Sequence, residues 1–310
     1  MSLIDLFSTI VPLEQLCPNE PMCNHTSFKI GGPADLLVKA TDAGQIAGAM
    51  ALCRQHGLPC FVMGNGSNLL VSDAGIEGVV IKISEGYDAM AIDENGALYA
   101  ESGTLLSALA AYALSKSLTG LEFAAGIPGT LGGAVFMNAG AYDGEMRHVV
   151  TSVDLLMPDG QTATRSCADM QFAYRSSVAQ TCGAVILKTR FSLCQGDPEA
   201  IHGKMADFAE RRSTKQPLSY PSAGSIFKRP AGHYAGKLIR DSGLAGFAIG
   251  GAQVSAKHCG FIINTGGATA KNVIDLIAAI QQTVYDKYGV KLETEVRAIG
   301  SGSPPVPIQR

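Results

Sequence analysis

Between Pro221 and Pro230 the chain reads Pro-Ser-Ala-Gly-Ser-Ile-Phe-Lys-Arg-Pro. The run of small residues leaves the Ser225 hydroxyl little hidden by bulk, and Gly224 beside it lets a ligand approach the backbone. Lys228 and Arg229 follow within reach of an anion. A serine with no base at hand is a poor nucleophile, but it can donate a proton to a carbanion formed next to it. Two further polar residues have matching chemistry at distant positions: Arg175 in Phe-Ala-Tyr-Arg-Ser-Ser, and Glu295 in Leu-Glu-Thr-Glu-Val-Arg. The apolar neighbours of Glu295 on a short terminal strand predict its burial. Taken singly, each has an ordinary reading: Arg175 as a surface ion pair, Ser225 as a turn residue, Glu295 as a strand-edge partner of Arg297.

Two glycine-rich runs supply a different kind of chemistry. Gly64-Asn-Gly-Ser-Asn follows an apolar run that reads as a strand, where free amides can cradle a pyrophosphate. It lacks the third glycine of the dinucleotide fingerprint and the acidic partner for a ribose, so a Rossmann assignment is weak and a plain turn stays open. The run from Gly126 to Gly140 alternates glycine with Leu131, Val135 and Met137, the pattern of backbone pressed against a flat, partly apolar ligand. Neither run carries a Walker lysine, and together they favour a nucleotide cofactor. The cluster Arg211, Arg212 and Lys215 reads as a solvated helix end that could also hold phosphates. His25 reads as structural.

Composition limits the alternatives. The chain has 310 residues, 46% of them hydrophobic, enough for more than one core. A net charge of -3 leaves no basic field for nucleic acid or anionic membrane. No apolar stretch nears the roughly 20 residues that span a bilayer, and the first residues lack the cationic start of a signal peptide. A cytoplasmic protein is expected. The eight cysteines are scattered singly, without Cys-x-x-Cys, so reduced thiols and no metal are expected. The 36 glycines, about 12% of the chain, exceed the usual ~7% and predict many tight turns.

The elements that must position these residues follow from periodicity. An amphipathic stretch (Leu3, Leu6, Phe7, Ile10) opens the chain. A strand over Leu36–Val38, a helix from Gln45 to His56 closed by Gly57, and a strand over Pro59–Met63 give a β-α-β rhythm ending in the first glycine run. Val79–Ile83 is a further strand, Ala89–Ser102 a hairpin about Asn95-Gly96, and Thr104–Leu118 a helix. Strands are predicted over Val149–Met157 and Ala184–Leu193. Gln195-Gly-Asp-Pro marks the main boundary and opens a polar helix ending near Arg212. After it come a helix around Lys237, strands over Ala248–Val254 and Gly260–Asn264, and a helix from Lys271 to Tyr288, closed by Gly289, with Val273, Ile277, Ile280 and Val284 on one face.

Read together, His25-Thr-Ser-Phe-Lys-Ile-Gly-Gly-Pro-Ala-Asp, Gly64-Asn-Gly-Ser-Asn-Leu-Leu, Gly126-Ile-Pro-Gly-Thr-Leu-Gly-Gly-Ala, Met137-Asn-Ala-Gly-Ala-Tyr, Tyr174-Arg-Ser-Ser, Ala223-Gly-Ser-Ile-Phe-Lys and Leu292-Glu-Thr-Glu-Val-Arg resemble the UDP-N-acetylenolpyruvoylglucosamine reductase family, in that family's order and over roughly residues 24 to 300. The short link between the domains resembles the family's second type. The resemblance implies an α+β chain: an N-terminal arm (1–25), a two-lobed vanillyl-alcohol-oxidase-type FAD-binding domain (26–195, lobes split near 85), a C-terminal α+β substrate domain (196–300) and a disordered tail (301–310).

It also implies roles. FAD would be the bound cofactor and NADPH the co-substrate. UDP-N-acetylglucosamine enolpyruvate would be reduced to UDP-N-acetylmuramate for peptidoglycan precursor synthesis, by hydride from the flavin N5 to the enolpyruvyl methylene. Arg175 and Glu295 match residues that polarise the substrate carboxylate, and Ser225 matches the donor that protonates the enolate carbon. Gly64, Asn65, Gly66, Ser67, Asn68, Leu69, Gly126, Ile127, Pro128, Gly129, Gly132, Gly133, Ala134 and Asn138 would line FAD. Lys215, Lys228 and Tyr174 would bind substrate. Arg229 stands where some members carry asparagine, Asp143 where glycine is expected, and Cys259-Gly260 where Ala-Asn is more usual. The oligomeric state is left open, with a monomer the simplest expectation. A flavin oxidase on the same scaffold and a nucleotide-sugar sensor are the competing readings; binding alone needs no proton donor, which weighs against the sensor.

Overall fold

The computed structural model describes residues 2–301. The segment expected as a disordered tail lies, from 302 onward, outside the described residues. The chain forms two compact units. One contains the chain up to Pro18, Leu36–Asn65 and Gly78–Arg212; the other contains Asn19–Asp35, Gly66–Glu77 and the chain from Ser213 onward.

In the first unit a five-stranded antiparallel sheet is ordered Thr162–Ser166, Val150–Leu156, Val185–Phe191, Leu98–Glu101, Met90–Ile92. Its register runs across the sheet through Arg165, Val153, Thr189, Ala100 and Met90. Alternation sends Val153 and Leu155 inward, while Asp154 faces out and takes two hydrogen bonds from Arg190. The inner face packs on the helix Leu106–Ser115 and the short helix Leu131–Phe136. A second core lies under the helix Ala43–His56, which starts at an Asp42 side-chain cap and stops at Gly57 in left-handed conformation (φ 63°). Phe7 and Val11, from the stretch expected as an arm, are buried in this core. The strand Cys60–Met63 runs parallel to Ile76–Ile83 and delivers the chain to Gly64.

The second unit packs the helices Ala235–Asp241 and Ala270–Tyr288 against the antiparallel strands Ala248–Ile249, Ala252–Val254 and Ile262–Asn264. The long helix opens with a capping box between Thr269 and Asn272 and closes at Gly289, φ 66°. The two N-terminal insertions are tied in by hydrogen bonds: Asp73 accepts from the first amides of this helix, Ala270 and Lys271, and Asn264 Nδ2 donates to Phe28 O. Leu69–Val71 pairs in parallel with Arg297–Ile299.

One local expectation is corrected. The single strand over 248–254 is a hairpin, because Gly250 adopts φ 54° and Gly251 passes so close to Gly266 O that a Cβ would lie 2.4 Å away. Within the glycine run after Gly126, Leu131, Ala134 and Val135 fall at helical spacing, and their burial folds 131–136 into helix. All eight cysteines are free thiols. Among the described residues no helix is long and apolar enough to cross a membrane.

Candidate active site

Ser225 stands on an extended segment of the second unit that is paired on both sides. Ser225 bridges Phe261 and Phe227 bridges Thr294, both antiparallel. Ile226 N donates to Gly260 O at 2.9 Å, and Ile226 O accepts from Glu295 N at 2.7 Å. Ile226 and Phe227 are buried, which anchors the segment, while Ser225 is half-exposed. Gly224, at φ 75°, turns the chain into it, and no atom lies within 4 Å of where its Cβ would be. Glu295 is therefore carried on the segment next to the serine, half-buried, and precedes the strand Arg297–Ile299 instead of lying on it. Asn68 braces this neighbour: its Nδ2 donates to Glu295 O (3.1 Å) and its carbonyl accepts from Arg297 N (3.0 Å). Lys228 reaches Glu293 at 3.5 Å, through Nζ and Oε2.

His258 supports the far side of the pairing. Its Nδ1 accepts from Gly260 N at 3.2 Å, and its ring meets Phe261 edge-on. Burial holds the imidazole below its ordinary pKa of 6.5.

Arg175 belongs to the first unit and is positioned differently. Ala173 and Ser176 pair in a bridge closed by two main-chain hydrogen bonds, so Tyr174 and Arg175 form the tip of a tight turn. Arg175 takes φ 55° there, the conformation that such a turn normally gives to glycine. Its Nη2 donates to Gly140 O at 3.2 Å, and its guanidinium lies 4.9 Å from the Tyr174 ring centre. Asn138, fully buried, serves the same turn: Nδ2 donates to Ala173 O and Glu145, and Oδ1 accepts from Arg147 N.

The two glycine-rich runs meet within the first unit. Asn65 Nδ2 donates to Pro128 O at 2.8 Å, and a Cβ on Gly64 would sit 2.0 Å from Thr130 Oγ1. Gly132 N donates to Ser102 O, and a Cβ there would lie 2.9 Å from Ser102 Cβ. Gly133 is exposed on the first turn of the helix. Next to this bare backbone, Ser102 Oγ and Thr104 Oγ1 are buried without a hydrogen-bond partner. Arg212 packs on Gly126 and is half-buried, and burial lowers the pKa of its guanidinium below its ordinary value. Bare amides, unsatisfied hydroxyls and a desolvated cation fit the phosphates and polar edges of a flavin dinucleotide. Ser102 and Thr104 were missed in the sequence; the signal was Ser-Gly-Thr between a strand and a helix.

The structure thus brings Ser225 and Glu295 together in one unit, with Asn68, and Arg175 and Asn138 together in the other, with Tyr174. Gly66, Ser67, Asn68 and Leu69 belong to the second unit, Gly64 and Asn65 to the first. Lys215 ends the helix Pro198–Lys215, exposed to solvent.

Comparison with known proteins defines the class first. Residues 34–166 match the family model described as an FAD binding domain, and residues 216–299 match "UDP-N-acetylenolpyruvoylglucosamine reductase, C-terminal domain". The chain is an α+β protein with an FAD-binding domain followed by that C-terminal domain. It is 49% identical over 287 residues to the UDP-N-acetylenolpyruvoylglucosamine reductase of Clostridium perfringens (strain SM101 / Type A), covering 93% of this chain and 94% of the relative. Identity to the Alkaliphilus oremlandii reductase is 49% over 291 residues, covering 94% and 95%. The crystal structure of the Thermus caldophilus reductase superposes with a TM-score of 0.79 at 33% identity, covering 90% of this chain and 97% of that one. The chain belongs to the UDP-N-acetylenolpyruvoylglucosamine reductase family.

Proposed function

We propose that this protein reduces UDP-N-acetylglucosamine enolpyruvate to UDP-N-acetylmuramate with electrons from NADPH, a cytoplasmic step in peptidoglycan precursor synthesis. The observation that carries the reading is that Ile226 and Phe227, next to Ser225, pair with Glu295 and Thr294, inside a domain matched by the reductase family. FAD, when bound, supplies hydride transfer between NADPH and the substrate double bond.

The chain's own residues do the rest. Gly64, Asn65, the run 126–129 and Gly132 to Ala134 give FAD a close backbone approach, with Gly66 to Leu69 contributing from the rest of the first glycine run. Arg175 places a guanidinium fork on the substrate carboxylate, where negative charge grows as the double bond is reduced. Glu295 helps there while it holds a proton or is tied to a cation; as a bare carboxylate it would repel the enolate. Ser225 then gives its hydroxyl proton to the enolate carbon, so that one hydride and one proton have added across the double bond. This step asks only for acidity from serine, and the extended backbone around Ser225 serves to aim it. Lys215, Lys228 and Tyr174 hold the substrate's phosphates and sugar. Residues 26–195 form the cofactor-binding part and 196–300 the substrate-binding part.

The test is a visible spectrum recorded anaerobically. Protein reduced with NADPH should recover its oxidised flavin band when UDP-N-acetylglucosamine enolpyruvate is added without oxygen. A band that stays bleached until air enters would favour an oxidase and contradict the proposal.

A further inference from the structure

The helix Ala43–His56 and the strand Cys60–Met63 each carry a cysteine where they approach one another. Cys53, in the last turns of the helix, is buried in the core beneath it. Gly57 ends the helix in left-handed conformation, and Leu58 N donates to Cys53 O at 2.9 Å. The chain therefore folds back past Cys53 before the strand begins. Residues of the strand alternate between its two faces, and Val62 packs on the core that holds Cys53. Cys60, two residues earlier, shares that face and lies at its exposed rim. There the two thiols hydrogen-bond to each other, which lowers the pKa of Cys53 and raises that of Cys60.

We propose that Cys53 and Cys60 form a reversible modification site, at which a peroxide converts the two neighbouring thiols into a disulfide. Cys60 is the member of the pair that meets solvent. Passage of one proton across the thiol–thiol hydrogen bond puts the thiolate on its sulfur. That sulfur attacks one oxygen of hydrogen peroxide, the O–O bond breaks, and the departing hydroxide takes up a proton to leave as water. Cys60 is then a sulfenic acid. The Cys53 sulfur attacks it, the S–S bond forms, the S–O bond breaks, and the second hydroxide leaves as water with the remaining thiol proton. Two thiols and one peroxide thus become one disulfide and two waters, the sulfurs losing the two electrons that the peroxide gains. An added dithiol reverses the step by attacking the exposed sulfur. The disulfide joins the end of the helix to the strand that delivers Gly64.

Peptide mass spectrometry tests this on the folded, FAD-loaded protein. Trypsin cuts after Arg54, between the two cysteines, so they fall in separate peptides, 40–54 and 55–82, each with one cysteine. Protein treated with one equivalent of hydrogen peroxide, then blocked with N-ethylmaleimide and digested, should yield these two peptides joined. Their joint mass should be two hydrogens below the sum, and dithiothreitol should separate them. Intact protein should lose two of its eight thiols. Cys60 recovered as sulfinic acid in an unjoined peptide, or both peptides recovered with blocked thiols, would overturn the inference. In Cys53→Ser the sulfenic acid at Cys60 has lost its partner, so dimedone should label Cys60 and one thiol should disappear instead of two. A Cys60 that dimedone leaves unlabelled in that variant contradicts the proposed order of attack. Should Cys53→Ser not fold, the joined peptides of the wild-type protein decide the matter alone.

Discussion

The turn at Arg175 and the segment at Ser225 each hold one polar side chain in place, by different physical means. Ser225 is set by main chain: bridges on both sides, with buried Ile226 and Phe227 as anchors. Arg175 is left-handed at the tip of a turn closed by Ala173 and Ser176, and side-chain amides brace that turn from outside. Backbone pairing tolerates change in the side chains that flank it, whereas an amide brace fails when one residue changes. A single hydroxyl such as that of Ser225 has few degrees of freedom to restrain. An arginine has a long side chain, and fixing the direction of its first bond removes most of the error at the guanidinium.

That contrast can be broken or sharpened in order of expected effect. Asn138→Ala removes a fully buried amide that satisfies Ala173 O, Glu145 and Arg147 N. It should destabilise the protein by about 2–4 kcal/mol in denaturant titration, through unpaired buried groups and a small cavity. A loss under ~0.5 kcal/mol would mean that the turn holds itself. On the other side, Gly224→Ala meets open space but must keep φ 75°, so only strain opposes it. About 1–2 kcal/mol is expected, with FAD binding unchanged. A loss as large as that of Asn138→Ala would erase the distinction.

The smallest effect concerns pH. Burial lowers the His258 pKa in the folded state, so the unfolded chain takes up a proton first as pH falls below 6.5. Stability is then complete above pH 6.5 and declines as pH drops through the folded value, where protonation also removes the acceptor of Gly260 N. The loss should stay below about 1 kcal/mol, because the ring is only half-buried. His258→Gln should flatten this part of the pH–stability curve; an unchanged slope would assign it elsewhere.

What the sequence revealed depended on how local its causes were. The helices ending at His56 and Tyr288 were legible because each stops at a glycine whose positive φ is a local necessity. The meeting of Gly64 with Thr130 was half legible: both glycine runs stood out, but nothing local showed that they touch. The left-handed Arg175 was invisible, since no glycine marks the position and its braces, Asn138 and Gln180, are spread over 42 residues. Equally silent were 19–35 and 66–77, which cluster with the C-terminal half through contacts some 200 residues away in sequence, such as Asp73 with Ala270. The hairpin at Gly250 was signalled by paired glycines and misread, because apolar residues on both sides mimic one strand.

The most direct test of the account is Ser225→Ala, followed by stopped-flow absorbance of the flavin without oxygen. Reduction by NADPH should proceed at close to the wild-type rate, while reoxidation by the enolpyruvyl substrate slows by ~100-fold or more, the usual worth of a positioned general acid. Reoxidation at full speed in that variant would remove Ser225 as the proton donor and with it the central claim.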